Sequence, residues 1–180
     1  MPFRRIALLT ATIAALCAVP AGAAPPAGYT PLSRGPLTGG GVWEFSIQRT
    51  KLSGVKGVCL NLLPTAADGS SPGGGGGCLA GSLRAAKGIG NIGIHSEVGG
   101  TVKASLVGGI VYAKARRVKV TFADGKVLRL KTHRPPEGWR RLLKSRVRFF
   151  AGDALAVTAA KATRIAIFDR KGHRISRRSL

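Results

Sequence analysis

Arg117-Val118-Lys119-Val120-Thr121-Phe122-Ala123-Asp124-Gly125-Lys126-Val127-Leu128-Arg129-Leu130-Lys131 decides the fold of this chain. Two runs alternate apolar and basic residues around an Asp-Gly turn signal, the pattern of an antiparallel hairpin. A two-residue turn would set Val120 against Arg129. A three-residue loop, Ala123-Asp124-Gly125 with Gly125 left-handed, pairs Phe122 with Lys126, Val120 with Leu128 and Val118 with Leu130. Because a slip of one residue turns every side chain to the other face, the second register is the consistent one. It also sets Lys119 opposite Arg129 and Arg117 opposite Lys131 on the outward face, where like charges repel. The same rule at Arg170-Lys171-Gly172 sets Ile167 opposite Ile175.

Outward from this hairpin, short strand candidates recur between turn signals. Val42–Arg49 alternates Trp43, Phe45 and Ile47 with Glu44, Ser46 and Gln48. Val58, Leu60 and Leu62 share one side of Gly57–Leu63. Further candidates lie at Leu79–Leu83, Ile92–His95, Leu106–Tyr112, Lys126–Lys131, Arg146–Phe150, Ala154–Val157, Arg164–Phe168 and His173–Ser176. Gly138–Leu143 is the best helical candidate and gives one or two turns. The fold class that follows is all-β, a single antiparallel β-sandwich with one disulfide; a small β-barrel is the alternative.

The first residues speak to destination. Arg4 and Arg5 precede the small and apolar run Ile6–Val19, and Ala21-Gly22-Ala23 is an A-x-A cleavage pattern. Residues 1–23 read as a secretory signal peptide. The run is about 14 residues, short of the ~20 that span a bilayer, and no transmembrane segment is expected in the mature chain. Localisation is therefore expected to be secreted or extracytoplasmic, at the cell envelope. Residues 24–41, with Pro25, Pro26, Pro31, Pro36 and Gly39-Gly40-Gly41, read as a Pro/Gly-rich leader. The β-sandwich domain is 42–180, with a mobile Gly-rich loop at 68–77.

Cys17 leaves with the signal, and Cys59 and Cys78 remain as a pair in an oxidising compartment. A disulfide between them is the direct expectation, with Cα atoms about 4.4–6.8 Å apart. No histidines or further cysteines stand at metal-ligand spacing.

Charge is the other strong signal. The chain carries 29 Lys and Arg against 7 Asp and Glu, a formal net charge of +22. Most of the basic residues lie from Lys103 onward. Arg117, Lys119, Arg129 and Lys131, joined by Arg146 and Arg148 from the alternating Arg146–Phe150 segment, are the candidate polyanion-binding residues. Anionic cell-envelope polymers, acidic polysaccharide, nucleic acid or anionic headgroups are the expected partners, held without sequence specificity. The competing reading is a solvated, solubilising face. Alternation assigns Phe122, Phe149, Phe150 and Phe168 mostly to the core, leaving Tyr112 and Trp139 as the aromatics available for contact. Trp139 beside Arg140 and Arg141 reads equally as a contact site or as a plug over the core edge.

Catalytic patterns are weak. Gly88-Ile89-Gly90-Asn91-Ile92-Gly93 matches the dinucleotide fingerprint literally, but Ile94-His95-Ser96-Glu97 and Gly99-Gly100 follow where a helix is required. A turn or bulge suits it better. His95, Ser96 and Glu97 are adjacent on a strand and point alternately to opposite faces, so they form no relay. His133 and His173 are isolated. Asp124 and Asp169 sit at turn positions and Asp68 in the glycine loop. Glu44 and Glu97 are the strand-borne acids. No catalytic or metal site and no cofactor is expected. The chain reads as a non-catalytic exported binding or envelope-associated protein; the alternative is a small secreted hydrolase or enzyme inhibitor with a loop-built site.

The order of Trp43 strand, Cys59-Leu60, Cys78, Val118-Lys119-Val120, Asp124-Gly125 and Ile167-Phe168-Asp169 with Gly172, behind a signal peptide, resembles uncharacterised exported β-proteins of high-GC Gram-positive bacteria. The resemblance covers most of Val42–Ile175. It implies an extracytoplasmic β-sandwich and brings no activity or site residues with it.

Overall fold

A computed structural model describes residues 27–71, 73–80, 88–97, 104–140 and 147–180; residues 1–23, expected to be a signal peptide, lie outside them. The described strands are β1 (Thr30–Pro36), β2 (Val42–Leu52), β3 (Val55–Thr65), β4 (Gly75–Ala80), β5 (Ile89–Glu97), β6 (Ala104–Tyr112), β7 (Arg117–Phe122), β8 (Val127–Lys131), β9 (Val147–Asp153), β10 (Ala162–Phe168) and β11 (Arg174–Ser179). One helical turn, α1 (Glu137–Arg140), precedes β9. The strands form three antiparallel sheets, ordered β1-β2-β3-β4, β5-β6-β9 and β11-β10-β7-β8, and none closes into a barrel. We call them sheets I, II and III.

Alternation explains how the sheets stack. Trp43, Phe45 and Ile47 of β2 and Val58, Leu60 and Leu62 of β3 form one apolar face, which meets Leu106, Ile110, Phe149 and Ala151 of sheet II. The opposite side of sheet II presents Val107, Val111 and Phe150 to Val118, Val120, Phe122, Ile165 and Ile167 of sheet III. Sheet II is thus buried on both faces, the middle layer of the sandwich. A middle strand needs apolar residues on both sides, which is why Leu106–Tyr112 is a continuous apolar run and not an alternating one. Glycines in this layer admit the neighbouring one. A Cβ at Gly108 would stand 2.9 Å from Leu62 Cδ2, and one at Gly93 3.3 Å from Leu62 Cδ1. Leu62 fills the space those side chains would need.

The hairpin register is as the alternation requires. Val120 pairs with Leu128, Val118 with Leu130, Lys119 with Arg129 and Arg117 with Lys131. Phe122 N–H donates to Lys126 O at 3.0 Å, and Gly125 has φ of 79°. Val118 and Val120 are fully buried, while Leu128 and Leu130, on the sheet edge, are partly buried against the same core. Since a side chain at Gly125 would be forced into the left-handed region, Gly125→Val is expected to lower stability by about 1–2 kcal/mol. Urea unfolding measures it, and a loss below a few tenths would contradict the loop geometry.

Four expectations are corrected. Residues 30–36 are not a leader: β1 pairs along β2 from Thr30↔Ile47 to Pro36↔Val42. Its prolines are tolerated because β1 is an edge strand, where a missing N–H need face no partner. Gly75, Gly76 and Gly77 are not loop: they begin β4 and pair with Leu62, Asn61 and Leu60. Gly76 lies so close that a Cβ there would run into Leu60 O. Ala154–Val157 is a turn, with Val157 and Thr158 N–H both donating to Ala154 O. Asp153 starts it by accepting from Leu155 N at 2.9 Å, the local role for which Asp suits turns. In the last hairpin, Ile167 faces Ser176, because a bulge after Phe168↔Arg174 leaves Ile175 as the extra residue. Edge strands such as β11 are where bulges concentrate.

Candidate functional site

The outward face of sheet III collects the charge. With Val118, Val120, Ile165 and Ile167 inside, the register carries Arg117, Lys119, Arg129 and Lys131 outward on β7 and β8. Antiparallel pairing extends the face in sequence-distant steps. Lys119 meets Ala166 and Ala166 meets Arg177; Arg117 meets Phe168 and Phe168 meets Arg174; Thr121 meets Arg164. Seven cations from four strands therefore share one sheet face, and none of these strands contains an acid. The nearby carboxylates sit in the two hairpin turns at opposite ends. Asp124 accepts from Thr158 Oγ1 at 2.6 Å, which above all holds its carboxyl below the usual range, and it lies 3.7 Å from Lys126 Nζ. Asp169 accepts from His173 N and lies 3.4 Å from His173 Nδ1.

Arg148, expected on this face, is elsewhere. It rises from β9 between sheets II and III, donating from Nε to Thr132 Oγ1 and from Nη2 to Thr132 O, both at 2.6 Å. Thr132 Oγ1 in turn donates to Ala115 O. Burial first, then repulsion from Arg116 and Arg134, pushes the Arg148 pKa down. The cause of the displacement is the middle-layer position of β9, whose two faces are both covered. Arg146 lies outside the described residues.

Phe122, Phe149 and Phe150 lie in the core as expected, and Trp139 takes the plug role of its two readings. Trp139 is buried with the first core, and Arg49 lies over it, 5.3 Å from the ring centroid. Tyr112 packs partly buried on the second core. Phe168, expected inside, is on the outward face. The alternation Ile165-Ala166-Ile167-Phe168 already contained that signal, since both isoleucines are fully buried.

The remaining candidates do not assemble. Glu44 is on β2 in sheet I and Glu97 on β5 in sheet II; the side chains of His95, Ser96 and Glu97 lie outside the described residues. Burial raises the Glu44 pKa and Arg34 opposes the rise. Asp153, a strand-borne acid the sequence reading passed over, ties layers together: Oδ2 accepts from Thr38 N at 2.8 Å and from Thr38 Oγ1 at 2.7 Å. His133 bridges to Phe149 through its backbone. The literal dinucleotide pattern falls in β5, with a register shift between Ile89 and Ile92. Among the described residues, no group of three or more His, Cys, Asp or Glu could hold a metal ion, and no helix is long and apolar enough to cross a membrane.

Cys59 and Cys78 are disulfide-bonded. They stand directly opposite each other on β3 and β4, with Cα atoms 3.9 Å apart, nearer than the expected window allows. Direct cross-strand opposition is what brings them so near. No family model matches the chain, and neither a curated protein nor a solved structure is similar to it.

Proposed function

We propose that this is an exported, non-catalytic binding protein, associated with the cell envelope, that holds anionic polymers on the outer face of sheet III. One observation carries the reading: like charges stand directly opposite each other, Arg117 to Lys131 and Lys119 to Arg129, with no acid among them. Each such pair costs roughly a few tenths to 1 kcal/mol in the free protein. A bound polyanion relieves that repulsion and releases its own counterions. The signal-peptide pattern of residues 1–23, the disulfide and the resemblance to exported β-proteins support a location outside the cytoplasm.

The test is a salt titration with fluorescent polyphosphate. Log affinity is expected to fall linearly with log salt. Lys119→Thr with Arg129→Thr should weaken binding, lower the slope by about 2 and slightly raise the melting temperature. Unchanged affinity together with unchanged melting would mean that these side chains are only solvated.

A further inference from the structure

β10 divides the charged face in two. Its outward residues Ala166 and Phe168 are apolar; Ala166 is buried and Phe168 half-buried. On one side Lys119 and Arg117 stand opposite them from β7, and on the other Arg177 and Arg174 from β11. Strands two apart in a sheet are separated by roughly 10 Å. β10 is therefore a low apolar floor between two cationic rails, ending at Arg164, with an aromatic ring set between two arginines.

The two chemistries of this trough ask different things of a ligand. The rails need closely repeated anions, and arginine suits phosphate because its planar fork can donate two hydrogen bonds at once. The ring needs a flat π-face that is free to stack. A duplex supplies phosphates but keeps its bases stacked inside. An acidic polysaccharide supplies charge but no aromatic base. A single nucleic-acid strand supplies both, and sheet faces that combine basic residues with an aromatic platform bind such strands with little sequence preference.

Resting on the polyanion reading above, we infer that the ligand is a single-stranded nucleic acid laid along β10, one base stacked on Phe168 and the adjoining phosphates held by Arg117 and Arg174. Lys119 and Arg177 continue the rails over Ala166, where the floor is low enough for the backbone of the strand to pass. Lys131 and Arg129 form an outer line of charge beyond β7.

The experiment compares a fluorescent oligothymidylate strand, the same strand annealed to its complement, and polygalacturonate as a competitor at matched charge. The wild-type protein is expected to bind the free strand more tightly than the duplex, and polygalacturonate to compete weakly. Phe168→Leu keeps the apolar volume and removes the π-face; it should weaken single-strand binding roughly five-fold or more and leave duplex binding within two-fold. Phe168→Trp should restore the preference. Melting curves of both variants establish that the fold is kept. Equal affinity of Phe168→Leu for the single strand, equal binding of duplex, or competition by polygalacturonate as strong as by unlabelled strand would overturn the inference. Those results leave the polyanion reading standing if Lys119→Thr with Arg129→Thr still weakens binding. If that double variant binds every polymer as the wild type does, the polyanion reading itself fails.

Discussion

Replacing Phe149 with alanine is expected to lower the free energy of unfolding by about 3–5 kcal/mol. The side chain is fully buried on β9, in the layer between sheets I and III. Its ring faces that of Phe45 across the first core, with centroids 6.2 Å apart and planes tilted by 59°, a favourable edge-biased arrangement. Neighbours cannot collapse freely into the vacated space. On one side stands the rigid pair of sheets, and the Phe149 backbone is itself fixed, donating to His133 O at 2.9 Å and accepting from His133 N at 2.7 Å. Domains of this kind are stable by about 5–15 kcal/mol, so the variant should be close to unfolding at ambient temperature. Urea titration read through Trp43 and Trp139, both in the same core, measures it. A loss under about 1.5 kcal/mol would mean that the layers relax into the gap and that the packing is looser than the burial of Phe149 implies.

Removing the disulfide is the second large effect. Cys59 and Cys78 are 19 positions apart, and cross-linking a loop of that length stabilises by about 3 kcal/mol in the chain-entropy model. The local consequence is larger than the global one. β4 begins with three glycines, which lose more conformational freedom on ordering than any other residue, and it has no side chains there to bury. Cys59→Ala with Cys78→Ala should therefore lower global stability by about that amount and raise amide exchange in β4 well above that in β2. Exchange that rises equally in all strands would show that β4 does not depend on its covalent tether.

What was legible in the sequence followed from local rules with one consistent solution. The β7–β8 register could be read because only a bulged loop keeps Val120 with Leu128, and β2 because Trp43, Phe45 and Ile47 alternate without interruption. The cysteine pair needed only counting. Misreadings arose where position in the sheet outweighed residue preference. Pro31 and Pro36 read as breakers, yet an edge strand has no use for the N–H they lack. Gly75–Gly77 read as loop, yet they pair along β3, and at Gly76 the approach to Leu60 leaves no room for a side chain. Arg148 read as outward because its segment alternates, but alternation cannot say that a sheet is covered on both sides. The charged face was half visible: the hairpin gave Arg117, Lys119, Arg129 and Lys131, whereas Arg164, Arg174 and Arg177 join only because β10 lies beside β7, a non-local pairing that no local pattern encodes.

The interleaving of sheets II and III sets an order of assembly. β1 to β4 are consecutive and can close sheet I as soon as they are made. Sheet II, by contrast, waits for β9, and sheet III has its centre, β10, among the last residues of the chain. Contacts that distant form slowly, and the second core has no partial version, since β7 and β8 alone would leave their apolar side open. The second core therefore closes late, once β9, β10 and β11 are in place, whereas sheet I can form early. For the exported protein proposed above, such late closure of the second core suits passage through a narrow channel.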